Sequence, residues 1–205
     1  MFKRKSFVVF SLILIILVIP SAFAADNNTV SLNATSSSND FYFDVNATHD
    51  HGDGTPDNPY RELRDGRILD NSVIHLKNGE YDFTSINSHK NVSFIGEDST
   101  KTIIQGNGGV LLVNDFLLLS NITICNLNIF NQGNLYATNT VFVNSSGINT
   151  ASGDSFGGAI YCVDRTHNAY LTGCTFINNY ADFGGAIYLN GGILEVSDCV
   201  FINNT

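Results

Sequence analysis

The chain has 205 residues, with 19 Asp and Glu against 10 Lys and Arg and a formal charge of −9. That acidity excludes the two partners that attract basic patches, nucleic acid and anionic membrane. Asn occurs 26 times and Gly 18 times. Both disfavour helix interiors and suit turns, so the composition points to a secreted, repetitive β protein and away from a helical enzyme.

Lys3, Arg4 and Lys5 lead into an apolar run over residues 7–19 that Pro20 breaks, and Ala22-Phe23-Ala24 fits the small-x-small cleavage rule. Residues 1–24 are expected to be a secretory signal peptide, cut before Ala25. The run is shorter than the roughly 20 residues that span a bilayer. No membrane span is therefore expected after cleavage, and the chain is expected to be secreted or held at the cell surface. Beyond the cleavage point lie all 19 acidic residues but only 7 basic ones, a net charge near −12. Residues 25–40, rich in Asn, Ser and Thr, form a flexible polar lead. Residues 41–71 form an N-terminal cap segment. It opens with a short strand at Phe41, Tyr42, Phe43 and Val45, followed by an Asp-, Gly- and Pro-rich loop. A short capping helix is expected next, with Asn58 as N-cap and Pro59 at its first position, Tyr60 and Leu63 covering one end of the core.

From Ser72 onward, short apolar runs recur, nearly all punctuated by Gly or Asn, and no helical period survives. Four blocks of equal length align without gaps: "NITICNLNIFN" from Asn121, "NLYATNTVFVN" from Asn134, "NAYLTGCTFIN" from Asn168 and "ILEVSDCVFIN" from Ile193. Their starts step by 13, then 34, then 25. The first step is too short for a comfortable full turn; the last matches one coil of a parallel β-helix. In such a stack equal positions lie about 4.8 Å apart. Phe142, Phe176 and Phe201 are then an interior ladder, and Asn144, Asn178 and Asn203, with Asn179 and Asn204, stack at turns. The glycine pairs Gly157-Gly158 and Gly184-Gly185 supply a tight corner. Ile160 with Cys162, and Ile187 with Leu189, face inward.

Two phrases alternate: Gly157-Gly158-Ala159-Ile160 and Gly184-Gly185-Ala186-Ile187, and Phe-x-x-Asn at Phe176–Asn179 and Phe201–Asn204. This alternation resembles the polymorphic outer-membrane-protein repeats of adhesin-like surface proteins in methanogenic archaea. The stretches "DGTPDNPYRELRDG", "VIHLKNGEYDF" and "NVSFIGEDSTKTIIQGNGG" are similar to the start of the same architecture. The resemblance covers residues 41–205 and implies an all-β fold, a right-handed parallel β-helix (solenoid) of pectate-lyase type with about six coils over 72–205. The block at Phe142 departs from it, because "VNS" follows where the motif has Asn. The repeats also read as truncated at the C-terminus, since "CVFINNT" is the phrase that precedes "FGGAIY".

Chemistry is sparse. Asp164-Arg165-Thr166-His167 is the best-placed charged cluster in the repeats, and the reading favoured for it is an exposed loop with a local ion pair. Asp50, Asp53 and Asp57 are weak Ca²⁺ candidates in a Gly-rich loop that also holds His49 and His51; a solvated turn is favoured there. His75 and His89 are isolated. Cys174 and Cys199 occupy equivalent positions, which suits either a disulfide or a stack of free buried thiols. No acidic or basic set converges on one face, so no catalytic residue and no cofactor is expected. Seven Asn-x-Ser/Thr sequons, at Asn27, Asn33, Asn46, Asn91, Asn121, Asn144 and Asn203, offer sites for glycosylation. The function implied is that of a non-enzymatic adhesin-like surface protein contacting other cells, glycans or cell-wall components. The alternatives are a polysaccharide-active β-helix lyase or hydrolase, and a fragment of a larger adhesin without an independent role.

Overall fold

A computed structural model describes residues 39–48, 51–83, 88–163 and 166–205. The expected signal peptide and all but the last two residues of the polar lead lie outside the described residues. The first strands are β1 (Asn39–Phe43), β2 (Ser72–Leu76), β3 (Gly79–Asp82) and β4 (Ser88–Gly96). Two long ones follow, β5 (Thr102–Ser120) and β6 (Thr123–Thr138). Then come β7 (Val141–Val143), β8 (Ile148–Asn149), β9 (Ser155–Phe156), β10 (Ile160–Cys162), β11 (Ala169–Thr172), β12 (Thr175–Ile177), β13 (Ile187–Leu189), β14 (Leu194–Ser197) and β15 (Val200–Ile202). Thirteen of them join one sheet whose pairings are parallel, and β8–β9 is a separate antiparallel pair. The described chain is all-β, and its residues fall within one unit, Ala34–Thr205.

The parallel pairings sort into three columns. In the first, Phe41, Ile74, Phe94, Leu119, Ala137, Leu171 and Val196 are successive partners. In the second they are Tyr81, Ile104, Ile124, Phe142, Phe176 and Phe201. In the third they are His89, Val113, Asn131, Cys162 and Leu189. From β5 onward the chain visits second, third and first column in that order, then begins again. Each passage is one rung. The second and third expected steps are the observed register, with Leu135, Ala169 and Leu194 in line. The first expected step, from Asn121 to Asn134, is not. Thr123 pairs with Val141, so Asn121 lies over Asn139 instead. The shorter step does not reach through three columns.

The expected helix after Asn58 is also absent, and among the described residues there is no α-helix. Tyr60 instead bridges Phe43 in parallel. Its N–H donates to the Tyr42 carbonyl and its own carbonyl accepts from Asp44, at 2.8 and 2.9 Å. Its ring lies 5.4 Å from that of Phe43, which is fully buried. A first helical turn fixes three residues for one hydrogen bond, and here two backbone bonds and a packed ring win. Among the described residues a single 3₁₀ turn, Asp65–Arg67, is the only helical element.

The core lies between the columns. Ile104, Ile124, Phe142 and Phe176 are buried, and the rings of Phe142, Phe176 and Phe201 stack at 4.7 and 4.8 Å, within 7° of parallel. Strand spacing sets that distance, and each ring covers the face of the next.

The corners explain the Asn-rich composition. At the end of the second column Asn126, Asn144, Asn178 and Asn203 all have φ between 50 and 56°. At the end of the first, Asn121, Asn139, Gly173 and Asp198 have φ between 48 and 63°. Asn and Asp tolerate this left-handed conformation better than any other residue with a Cβ, so a fold that needs it at every corner uses them in bulk. The neighbouring Asn of Phe-x-x-Asn does a different job. Asn179 Nδ2 donates to the Phe142 carbonyl of the preceding rung at 3.1 Å, and its Oδ1 accepts the Ser145 N–H at 3.0 Å. Asn204 repeats this one rung on, to the Phe176 carbonyl and the Asn179 N–H. Where "VNS" lacks that Asn, Ser145 Oγ bonds the Leu127 carbonyl instead.

Two substitutions test this. A Cβ on Gly158 would stand 1.8 Å from the Gly185 carbonyl oxygen of the next rung. Gly158→Ala should therefore cost about 3 kcal/mol or more in urea unfolding. Gly66→Ala, where a Cβ meets nothing within 4 Å, should stay within about 0.5 kcal/mol. Asn179→Ala strands the Ser145 N–H and removes the side-chain bond to the Phe142 carbonyl in a site with no solvent exposure, and the same measurement should show a loss of about 2 kcal/mol.

Candidate functional site

The repeated "FGGAIY" places more than a corner. Gly157 and Gly184 take φ of 57 and 69°, which turns the chain between the Phe and the Tyr of each copy. Phe156 bridges Phe183 in parallel, and Tyr161 pairs with Tyr188. Strand alternation sends Ile160 and Cys162 into the core and Tyr161 outward. Phe156 and Phe183 stack at 5.0 Å, Phe156 lies 5.7 Å from Tyr161, and Tyr188 sits edge-on to both, at 4.9 and 5.5 Å. Phe130, the partner of Tyr161 one rung back, adds a fifth ring at 5.3 Å. None of the five belongs to the hydrophobic core. Four are half-buried, and Phe183 is 48% exposed, much as Val200 and Phe201 on the same last rung are, at 50% and 48%. A second outward run, Phe116, Tyr136 and Tyr170 at 5.5 and 4.9 Å, follows the first column.

The surroundings are acidic. One oxygen of Asp182 accepts both the N–H and the O–H of Ser155, at 2.9 and 2.8 Å, while Ser155 Oγ accepts the Asp182 N–H at 2.9 Å. The Ser155 N–H, then its hydroxyl, hold the Asp182 carboxyl below the usual carboxylate range. A fixed negative charge thus adjoins Phe183. After Lys101 the sequence has one Lys or Arg, Arg165.

Beside β8, which pairs with β9 through Ile148 and Phe156, lies a cavity of about 270 Å³ lined by Asn126, Asn128, Ser146, Ile148 and Asn149 among others. Asn128 is 3% exposed. Its Nδ2 donates to the carbonyls of Gly157, Gly158 and Ser146 at 2.5, 3.1 and 3.3 Å, and its Oδ1 has no partner.

Asp50 and His49 lie outside the described residues, as do Asp164 and Arg165. Asp53 is committed to a local turn: its carboxylate accepts the Thr55 hydroxyl and N–H at 2.7 and 3.0 Å, and these bonds, the hydroxyl first, keep it below its ordinary range. Asp57 is exposed on that loop. Among the described residues no three His, Cys, Asp or Glu side chains gather as a metal-ligand set, and no helix is long and apolar enough to cross a membrane. Cys174 and Cys199 do stack, with the Cys174 N–H 3.3 Å from Cys199 Sγ, and all four cysteines are free thiols. Sequence reasoning missed the buried pair His89–Asp65, 2.8 Å apart. It also missed the outward rings, whose signal was present: Phe and Tyr recur in both copies at the positions that core and corner leave over.

The thiols give a direct check on this geometry. Burial pushes both Cys162 and Cys174 up to about 12, so little reactive thiolate exists at mildly alkaline pH. Iodoacetamide should leave these two unmodified in the folded protein and modify all four cysteines in guanidinium chloride, as read by mass spectrometry. Comparison with protein-family models, curated proteins and solved structures finds no match.

Proposed function

We propose that this chain is an exported cell-surface protein, adhesin-like and non-enzymatic, folded as a right-handed parallel β-helix whose outer faces contact glycans, other cells or the cell wall. Three parallel columns visited in fixed order, with equal residues superposed, support the helical reading. The resemblance of "GGAI" and Phe-x-x-Asn to polymorphic outer-membrane-protein repeats supports the adhesin-like one, and the apolar N-terminal run supports export.

The observation that carries the contact function is the outward aromatic cluster written by "FGGAIY". A fold that places rings outside its core, on one face and in register, presents a contact surface. The ionisable groups argue the same way. Asp182 is clasped by Ser155, Asp53 by Thr55, and His89 by Asp65. A hydrolase needs an acid and a base converging on one bond, and these three carboxylates are separately engaged. Glu62, Glu80 and Asp82 share a cavity of about 400 Å³ with Arg61 and Arg64, and the turnover assay below covers them.

The test pairs adhesion with turnover. The secreted protein should cosediment with wall material or whole cells. Incubated with pectin and related acidic glycans, it should release no new reducing or unsaturated ends. Clear turnover would replace this reading with a polysaccharide-active enzyme.

A further inference from the structure

We infer that the corner formed by β8, β9 and the two "FGGAIY" copies is a binding site for a neutral glycan chain, a proposal that rests on the outer face being a contact surface and names what it holds. Sugar rings present C–H bonds on their faces and hydroxyls around their rims. A site for them needs apolar plates on one side and small polar groups on the other. Both are present here, and β8–β9 joins them. Phe156 belongs to the plates and pairs with Ile148, which lines the polar cavity.

The plates are Phe156, Tyr161, Phe183 and Tyr188. They come in two copies one rung apart, about 4.8 Å along the stack, so the apolar surface extends along one line and suits a chain of sugars better than a lone one. The polar side holds Asn126, Asn128, Ser146 and Asn149. Its volume, about 270 Å³, is near the lower limit of about 300 Å³ for small-molecule sites, which suits a single sugar unit. Asn128 supplies an independent pointer to a ligand. A buried acceptor without a partner is uncommon in a folded protein; Asn114, Asn128 and Asn131 each carry one at Oδ1, and of the three only Asn128 lines this cavity. What it lacks is a donor, which a hydroxyl provides and a carboxylate, sulfate or phosphate does not.

Charge sets the class. No cation lines the cavity, and the clasped carboxylate of Asp182 adjoins Phe183. An anionic glycan would bring its charge beside an existing one, and the described residues after Lys101 hold no Lys or Arg to offset it. The partner is therefore uncharged.

The experiment uses the full exported chain and four neutral probes: the hexaoses of glucose, mannose, xylose and N-acetylglucosamine. Hexagalacturonate is the charged comparison. With 8 Tyr and no Trp in the chain, a change in tyrosine fluorescence that is lost in Tyr161→Phe and Tyr188→Phe reports the plates, and saturation-transfer NMR reports which sugar protons lie on them. At least one neutral hexaose should bind and hexagalacturonate should not. Phe183→Ala should weaken binding tenfold or more, and Asn149→Ala severalfold, both with parental melting temperatures. Tyr42→Ala, on a different aromatic contact, should bind like the parent. Equal affinity of the Phe183 and Asn149 variants with the parent would overturn the assignment, as would binding of hexagalacturonate at least as tightly as the neutral probes. If no neutral probe binds while the protein still cosediments with wall material, this site is wrong and the contact surface stands. If cosedimentation fails as well, both are wrong.

Discussion

Parallel pairing between consecutive rungs is the interaction on which the rest of the molecule depends. At about 4.8 Å per rung, every side chain is obliged to sit on its equivalent, and any residue chosen for one rung is judged by the company it keeps in the next. Flat rings tolerate that arrangement, and the second column ends in three of them. Amides tolerate it because each carries both donor and acceptor, which is why Asn179 and Asn204 link carbonyl, amide and N–H through successive rungs. Glycine is required where backbones meet, as at Gly158 and Gly185. Like charges would not tolerate it, and the three columns hold almost none facing inward.

The same constraint accounts for the composition. The chain turns between successive columns, and several of those turns pass through the left-handed region. Nine of the described asparagines have positive φ. Asn there retains a side chain that can bond along the stack, as Asn91 does to Asn71 and Asn139 to Asn121; Gly in those places would leave that bond unmade and give the unfolded chain more freedom. An abundance of Asn that looks in the sequence like low complexity is, in the structure, a set of corner positions.

How much was legible follows from where identical residues recur. The steps from Asn134 to Asn168 and from Asn168 to Ile193, the Phe ladder and the glycine corner could be read because the same phrases are written at both ends of each step. The step from Asn121 to Asn139 could not. Its partners, Ile124 and Phe142, are unlike residues, and the inserted β8–β9 hairpin lengthens the following step so that no single period holds. Asn58-Pro59 looked like a helix start because local capping signals say nothing about Phe43, the strand residue that Tyr60 pairs with from outside the segment. His89 and Asp65 lie well apart in the chain, with no periodic signal to join them. The outward rings were visible but unassigned, since core and corner already gave "FGGAIY" a sufficient reason to repeat.

The unequal rungs have a mechanical consequence. On the helical reading proposed above, each rung is bonded only to its neighbours, so tension on the chain opens rungs singly. In the second column the successive rungs counted back from Phe201 run to Phe176, to Phe142 and to Ile124, so the middle one is the longest and the last the shortest. At about 3.3 Å per extended residue these release roughly 80, 110 and 60 Å. A tethered molecule of this kind would lengthen in steps of unlike size, dissipating a pull while the rungs behind the opening edge stay folded.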